Sequence, residues 1–526
     1  MAVRFTAYGG AGEIGGNKLL LEDDDWQIFF DFGMSFGTVG KFFEEFLQPR
    51  SSHGLSDFLQ TGILPPLEGL YRPDLSNLPE HPSIWNRLKT QPGYRQDVAP
   101  RAVLLSHAHA DHVGYVSMLR NDIPIVTSAT SALIAKAMQD GGQSRLDSQT
   151  VFFRSATPKN GVLTAALNEP FQQRPWQIVG EEIWTSPAIK YWSQRFAKSG
   201  PAPITRKVAL ANPSIDGHEI RSYSTDHSIP GTIGFAVETA AGWVGYSGDI
   251  RIHGRRGHMT LEFAQELAKL DLVALICEGT QAGRTPGATE DDVRHRVIER
   301  IAREEGLVVA DFGPRNIERL ETFLEAARIN GRRLVILMKD ALLLKAMSTV
   351  NPRVPIPSTL NDLLIYSEAR STSTAWQEQI ASEFLDAIIT PEQIRSDVGS
   401  YVLCFSFFDV TRLLDIGETN GVWIYSSSEP YNEEAVLDME RLWNWTNRLG
   451  LDFAGSAAEH EAEHLGFHAS GHAAGSDLRK FIEIANPRML IPIHLEESGL
   501  SFYRETFANS TIELRVPHWG RAITIG

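Results

Sequence analysis

Ala102-Val103-Leu104-Leu105 is a short apolar run that leads into Ser106-His107-Ala108-His109-Ala110-Asp111-His112. The run reads as a buried strand. It delivers four potential metal ligands within six residues, ahead of a stretch, Val113 to Arg120, that reads as the start of a helix. Imidazole and carboxylate are the ligands that borderline divalent ions prefer. Four of them this close in sequence cannot all turn to one ion, so the spacing points to two adjacent ions. Such a pair can make a nucleophile from water and hold both the attacking and the leaving oxygen of a displacement. The alternative is a His-rich surface loop, and the apolar strand leading straight into the cluster argues against it.

The remaining chain bounds the setting. Its 526 residues suit two to four domains at about 150 residues each. With 42% hydrophobic and 22% charged residues it reads as a globular protein with a sizeable core. No apolar run approaches the ~20 residues of a membrane span. Residues 1–25 carry Asp23-Asp24-Asp25 and no basic-then-apolar leader, so no signal peptide is expected. A net charge of −16 argues against bulk, non-specific nucleic-acid binding and leaves room for a local basic groove. Cys277 and Cys404 are the only cysteines. Each lies in an apolar run, which suits free thiols in a reducing cytoplasm better than a disulfide.

Val3 to Tyr8 alternates like a strand and runs into Gly9-Gly10-Ala11-Gly12-Glu13-Ile14-Gly15-Gly16-Asn17. Gly10, Gly12 and Gly15 spell a formal G-x-G-x-x-G, but a dinucleotide site needs a helix directly after the glycines. Two strands follow instead, Lys18 to Glu22 and Trp26 to Phe32, so the glycines read as a bend close to the metal loop. Residues 38–100 are irregular, and read equally well as a functional loop or as a surface insertion packed on the core. Ser128 to Gln139 reads as a helix, and 140–210 is aromatic-rich and hard to read. His227 lies between a strand-like run and a turn, and Asp249 ends the strand Gly242 to Tyr246 in Ser247-Gly248-Asp249. Asp271 to Cys277 is a buried strand ending in Glu278-Gly279-Thr280.

From there helices (Glu290 to Glu305, Asn316 to Asn330) alternate with apolar strands (Leu307 to Ala310, Arg333 to Met338, Tyr401 to Ser406, Val422 to Tyr425). That alternation predicts a parallel sheet covered on both faces, here as a separate α/β domain over about 280–445. The tail holds His460-Glu461-Ala462-Glu463-His464, a formal H-E-x-x-H for which an exposed polar helix end is the simpler reading. His468-Ala469-Ser470-Gly471-His472 follows, then a helix from Ser476 to Ala485 and a strand, Met489 to Ile493, that ends in His494.

Taken together, His107-x-His109-x-Asp111-His112, His227, Asp249 and the late His494 resemble the metallo-β-lactamase fold. The α/β insertion, with Glu278 before it and His472 and His494 after it, resembles the β-CASP subgroup of nucleases. Within that subgroup the Gly9–Asn17 loop, His227-Ser228-Ile229-Pro230 and Ser470-Gly471-His472-Ala473 most resemble ribonuclease J. The resemblance implies an α/β protein: an αββα sandwich made of residues 1–279 and 446–526, with the β-CASP domain inserted at 280–445.

It also implies roles. His107, His109 and His227 would hold one metal, Asp111, His112 and His494 the other, and Asp249 would bridge them. Glu278 would orient a ligand His or a substrate group. His472 would face the scissile phosphate, and the turn at Ser470, Gly471 and His472 would cradle a 5′-terminal phosphate. Asp111, His472 and Glu278 are thus the catalytic candidates. Arg251, Arg255, Arg256 and Arg315 stand near motif positions as candidate phosphate contacts, with solvated surface as their alternative. The implied reaction is hydrolysis of single-stranded RNA by a metal-bound hydroxide between two divalent ions, leaving 5′-phosphate products in exonucleolytic or endonucleolytic mode. Zinc suits the His-rich set, with manganese or magnesium as alternatives.

Three other functions compete: a DNA-directed nuclease of the same subgroup, a non-catalytic scaffold, and a small-molecule hydrolase of the same fold. The seven ligand-type residues argue against the scaffold, and the inserted domain against an open small-molecule site. Two departures bear on the family pattern. The 115 positions from His112 to His227 imply an insertion near the RNA entry, and only 32 residues follow His494. The usual C-terminal domain is therefore not expected, which leaves a homodimer open.

Overall fold

Leu19, Leu20 and Leu21 show how the first layer is built. Alternate residues of a strand face opposite ways. Leu19 and Leu21 enter the core between two sheets, and Leu20 enters the core on the outer side. Both faces of this strand are therefore covered, which is why it reads as an unbroken apolar run. The computed structural model describes residues 2–76, 83–142, 145, 148–196, 200–210, 214–369, 371–417, 420–428, 433–455 and 466–526.

Trp26–Phe30 pairs antiparallel with Leu19–Asp23, which pairs antiparallel with Val3–Ala7. The strand that carries the histidine cluster, Ala102–Leu104, lies parallel beside Trp26–Phe30 in the resulting eight-stranded sheet. A seven-stranded sheet faces it. There Ile233–Thr239, Gly242–Tyr246, Leu272–Glu278 and Met489–Ile493 are successive neighbours. Phe5, Ile28 and Phe30 from the first sheet meet Phe235, Tyr246, Ile276 and Ile491 from the second in one core. The helices Gly257–Ala268, Gly475–Ala485 and Glu497–Phe507 cover the outer face of the second sheet. This is the αββα sandwich that the sequence predicts.

A third sheet is parallel throughout, with Leu307–Asp311 and Tyr401–Leu403 near its middle. Its strands are buried runs such as Leu334-Val335-Ile336, as a sheet covered on both faces requires. The sheet takes in Leu451–Ala454 and so extends past residue 445, because the helix–strand alternation continues one step beyond the limit read from the sequence. Thr289 and Asp292 form a capping box on Glu290–Ala302, and the Asn316 side chain caps Ile317–Ile329.

Other local expectations change in detail. The helix read from Val113 onward is replaced by one turn at Ala110–Val113 and a 3₁₀ turn at Val116–Met118. Gly114 itself keeps helical angles and permits a close approach to the neighbouring segment. A Cβ there would lie 2.4 Å from the Ala110 carbonyl oxygen and 3.0 Å from Met34. Residues 38–100 carry short helices, and Leu55, Leu59, Leu67, Tyr71 and Leu88 from the helices and the loops between them are buried in the core, which favours the packed-insertion reading. Trp176 and Trp192 meet edge to face, 5.4 Å apart, which accounts for the aromatic richness of 140–210. His460–His464 lies outside the described residues. Cys277 and Cys404 are free, and among the described residues no helix is long and apolar enough to cross a membrane.

A buried charge network ties the third sheet's unit to the sandwich. Arg251 donates to Asp226, Glu290 and Glu318. Arg319 forms a bidentate pair with Glu290 and also donates to the carbonyls of Ser426 and Phe467. Arg319→Met strands these buried acceptors. It is expected to cost about 3–5 kcal/mol, the cost of breaking a buried ion pair from one side, read as a lower denaturant midpoint.

Candidate metal centre

The glycine loop decides how close the backbone can come to the cluster. Gly15 has φ +79°, and a Cβ there would lie 2.9 Å from the Asp111 side chain. At Gly33 a Cβ would be 1.7 Å from the Asp111 carbonyl oxygen. Both positions therefore require glycine. The Gly10 carbonyl accepts the His494 N–H at 2.6 Å, so the loop also anchors the last histidine. This, rather than a nucleotide, is what the glycines serve.

Seven predicted ligand residues converge. His107, His109 and His227 form one group, and Asp111, His112, Asp249 and His494 another; within each, the candidate ligand atoms lie within 4.8 Å of one another. Asp249 Oδ2 is central: 3.1 Å from His112 Nε2, 3.7 Å from Nε2 of His107 and of His227, and 3.9 Å from His494 Nε2. His494 Nε2 is 3.2 Å from Asp111 Oδ2. Two residues here take left-handed backbone conformations rare for non-glycine residues, His494 at φ +56° and Asp31 at +55°. Such outliers cluster where a side chain must be aimed.

Four of the five ligand-type histidines have an acceptor on the outer nitrogen. His227 Nδ1 donates to the Gly471 carbonyl at 2.5 Å, His494 Nδ1 to Thr280 Oγ1 at 2.7 Å, and His112 Nδ1 to Asp31 Oδ2 at 2.7 Å. Ser106 Oγ accepts from His107 Nδ1 at 3.0 Å and donates to Asp31 at 2.8 Å. This pattern turns the Nε2 atoms of His107, His227 and His494 inward as lone pairs. His112 differs: burial would lower it, but Asp249, Asp111 and Asp31 hold it well above the ordinary histidine value, and it keeps an inner proton that a metal would replace. His109 Nδ1 then faces the Nε2 atoms of His107 and His227, each at 3.1 Å. Three ring nitrogens this close have at most one proton between them, an arrangement that a cation among them would satisfy. Asp249 Oδ1 is buried with no hydrogen-bond partner. The donor set therefore fits divalent metal.

The electrostatics agree. Burial first, and neighbouring imidazoles next, hold His107 and His227 well below the ordinary histidine value. His109 falls to about 3, through burial and then the Arg315 cation. These three are neutral imidazoles at physiological pH, the form that ligates. Burial would raise Asp111 and Asp249, but His112 leads the charges that hold both carboxylates below their usual range.

His472 stands at the rim, its side chain 19% exposed. Its Nδ1 donates to Glu278 at 3.0 Å, and Glu278 also accepts the Ile250 N–H at 2.8 Å. Burial lowers His472, but Glu278 and its hydrogen bond outweigh it and hold the imidazole up at about 9. Ser470 Oγ accepts the His472 N–H at 3.1 Å. A Cβ at Gly471 would lie 2.6 Å from Ser228 Oγ, so this turn packs tightly on the His227 segment.

The structure also corrects one phosphate candidate. Arg251 is buried among three carboxylates and cannot reach a substrate. Arg255 is exposed but pairs with Glu318 and Glu321.

Among the curated relatives, ribonuclease J of Mycoplasma genitalium is 23% identical over 502 residues, covering 94% of this chain and 68% of the relative. Ribonuclease J of Corynebacterium glutamicum is 23% identical over 524 residues, covering 96% and 55%. Residues 465–517 match the family model for the Zn-dependent metallo-hydrolase RNA specificity domain. The chain is ribonuclease J-like. The ribonuclease J-like chain thus spans about 55–68% of the length of these two relatives. A crystal structure of a protein of unknown function from Enterococcus faecalis shares the fold, with a TM-score of 0.66 and 18% identity over 100% of both chains.

The sequence reading missed Asp31 and Thr280 as partners of ligand histidines, and Tyr246, whose hydroxyl donates to Asp31 at 2.5 Å. Asp31 carried a usable signal: like Asp249, it is an acidic residue directly after a buried strand. Asp31→Asn removes the charge that four donors share, the Ser106 N–H and hydroxyl, His112 Nδ1 and the Tyr246 hydroxyl. It is expected to weaken metal affinity about 10–100-fold, measured by competition with a chelating dye.

Proposed function

We propose that this ribonuclease J-like chain is a metal-dependent RNA phosphodiester hydrolase. The observation that carries the reading is the convergence of imidazole lone pairs and carboxylates on Asp249, whose Oδ1 is otherwise unsatisfied. In this reading His107, His109 and His227 hold one divalent ion, Asp111, His112 and His494 a second, and Asp249 faces both. Zinc is the first candidate, in keeping with the matched Zn-dependent family model. When bound, such ions supply an activated water and offset the negative charge that builds up on the phosphoryl oxygens.

The protein's own groups do the rest. The outer acceptors Asp31, Ser106, Thr280 and Gly471 keep the ligand histidines in register. Glu278 accepts a hydrogen bond from the Nδ1–H of His472, which leaves Nε2–H to offer a proton or hydrogen bond to a phosphoryl or leaving oxygen. Ser470 and Gly471 are the turn we assign to a substrate terminal phosphate. RNA stands before DNA because the family model matched at 465–517 is an RNA specificity domain. A reducing cytoplasm fits the two free cysteines.

The test is a digest of end-labelled single-stranded RNA bearing 5′-monophosphate or 5′-triphosphate, beside the matching DNA, with zinc or manganese and an Asp111→Ala control. The expected result is RNA cleavage that the control lacks. Mononucleotides from the monophosphate form would identify 5′-to-3′ exonuclease action, and internal fragments endonuclease action. Intact RNA with metal-loaded protein would overturn the proposal.

A further inference from the structure

Arg315 differs from the paired arginines Arg251, Arg255 and Arg319. It sits on the loop between Leu307–Asp311 and the helix Ile317–Ile329, so it belongs to the inserted unit. Two residues on, Ile317 lines the same cleft as the ligand His227 and its neighbour Ser228. The guanidinium is half-buried. Its one hydrogen-bond partner among the described residues is the Met138 sulfur at 3.2 Å, on a helix that packs against the first sheet. No carboxylate of the described residues pairs with it, whereas Arg251, Arg255 and Arg319 all have carboxylate partners. A half-buried arginine with no carboxylate partner is costly unless a ligand pairs with it.

We infer that Arg315 binds a backbone phosphate of the substrate strand beside the metal cluster, supplied across the cleft by the inserted unit. A guanidinium suits this position because its planar donors match two phosphate oxygens at once. Its thioether partner is a weak acceptor that a phosphate displaces readily. The nearby N-terminus of the 13-residue helix Ile317–Ile329 adds a favourable field for an anion.

This inference rests on the RNA-hydrolase reading, and the experiment separates the two. Steady-state hydrolysis of a short single-stranded RNA by metal-loaded protein is measured from 0.05 to 0.3 M salt for wild type, Arg315→Gln, Arg315→Lys and Arg255→Gln, with thermal melts alongside. Arg315→Gln is expected to raise KM about 5–20-fold with kcat within about threefold. It should also flatten the slope of log KM against log salt by about 0.7, the value of one single-strand phosphate contact. Arg315→Lys should recover the slope, and Arg255→Gln should leave it unchanged because its charge is already matched. An unchanged KM and slope in Arg315→Gln, with wild type active, would overturn the Arg315 assignment alone. A lowered melting temperature with the wild-type slope would do the same, since it would mark a packing role. A wild type that hydrolyses no RNA would overturn the reading beneath it.

Discussion

Asp249→Asn is expected to lower RNA hydrolysis by more than about 10³-fold and to release bound metal while the fold persists. The substitution keeps shape and removes charge. Asp249 Oδ2 lies within 3.9 Å of the inner nitrogens of His107, His112, His227 and His494, so no other carboxylate can take its place. Asp111 reaches only the His112 and His494 side. In the proposed two-ion site a neutral amide at this position would not offset the charge of the ions. At about 1.4 kcal/mol per tenfold, a loss of ~4 kcal/mol of charge stabilisation corresponds to about 10³ in rate. Metal analysis of the dialysed variant, with far-ultraviolet circular dichroism for the fold, provides the check. Full metal content and full activity would show that Asp249 is not the shared ligand.

His472→Gln is expected to separate chemistry from metal binding. The side chain hydrogen-bonds to Glu278 and stands at the rim, so its removal should leave metal content at the wild-type value. The loss falls on kcat, about 10²–10³-fold, the range for one positioned proton donor or charge stabiliser. A rise in KM alone would instead make His472 a binding residue. Glu278→Gln should give a smaller loss, since the amide oxygen still accepts the Nδ1 proton but no longer carries the charge that holds His472 protonated.

Much of this site is legible in the sequence because its ligands sit at the ends of apolar strands. Ala102–Leu104, Gly242–Tyr246 and Met489–Ile493 each deliver ligands just past their last residue. Strand ends carry a local signal, an apolar run that stops at a polar residue. Asp31, although it directly follows a buried strand, gives no sign of which side chain it serves, and Thr280 lacks an equivalent signal. Their partners are 81 and 214 positions away in the chain, and only the pairing of strands brings them together. Arg251 fails as a phosphate candidate for the same reason: the carboxylates that bury it come from 226, 290 and 318, on three separate segments. The α/β alternation gives the third sheet readily, since each parallel strand is an unbroken apolar run. Its far edge at Leu451–Ala454 is harder to read, because Leu451-Asp452-Phe453-Ala454 is a short, half-exposed strand with a weak pattern.

The central claim is that one pocket of imidazoles and carboxylates holds two ions around Asp249. Anomalous diffraction from crystals grown with zinc or manganese tests it most directly. The account predicts two peaks about 3.5–4 Å apart, one against His107, His109 and His227, the other against Asp111, His112 and His494, with Asp249 touching both. A single peak, or peaks away from these residues in crystals that contain the metal, would contradict it.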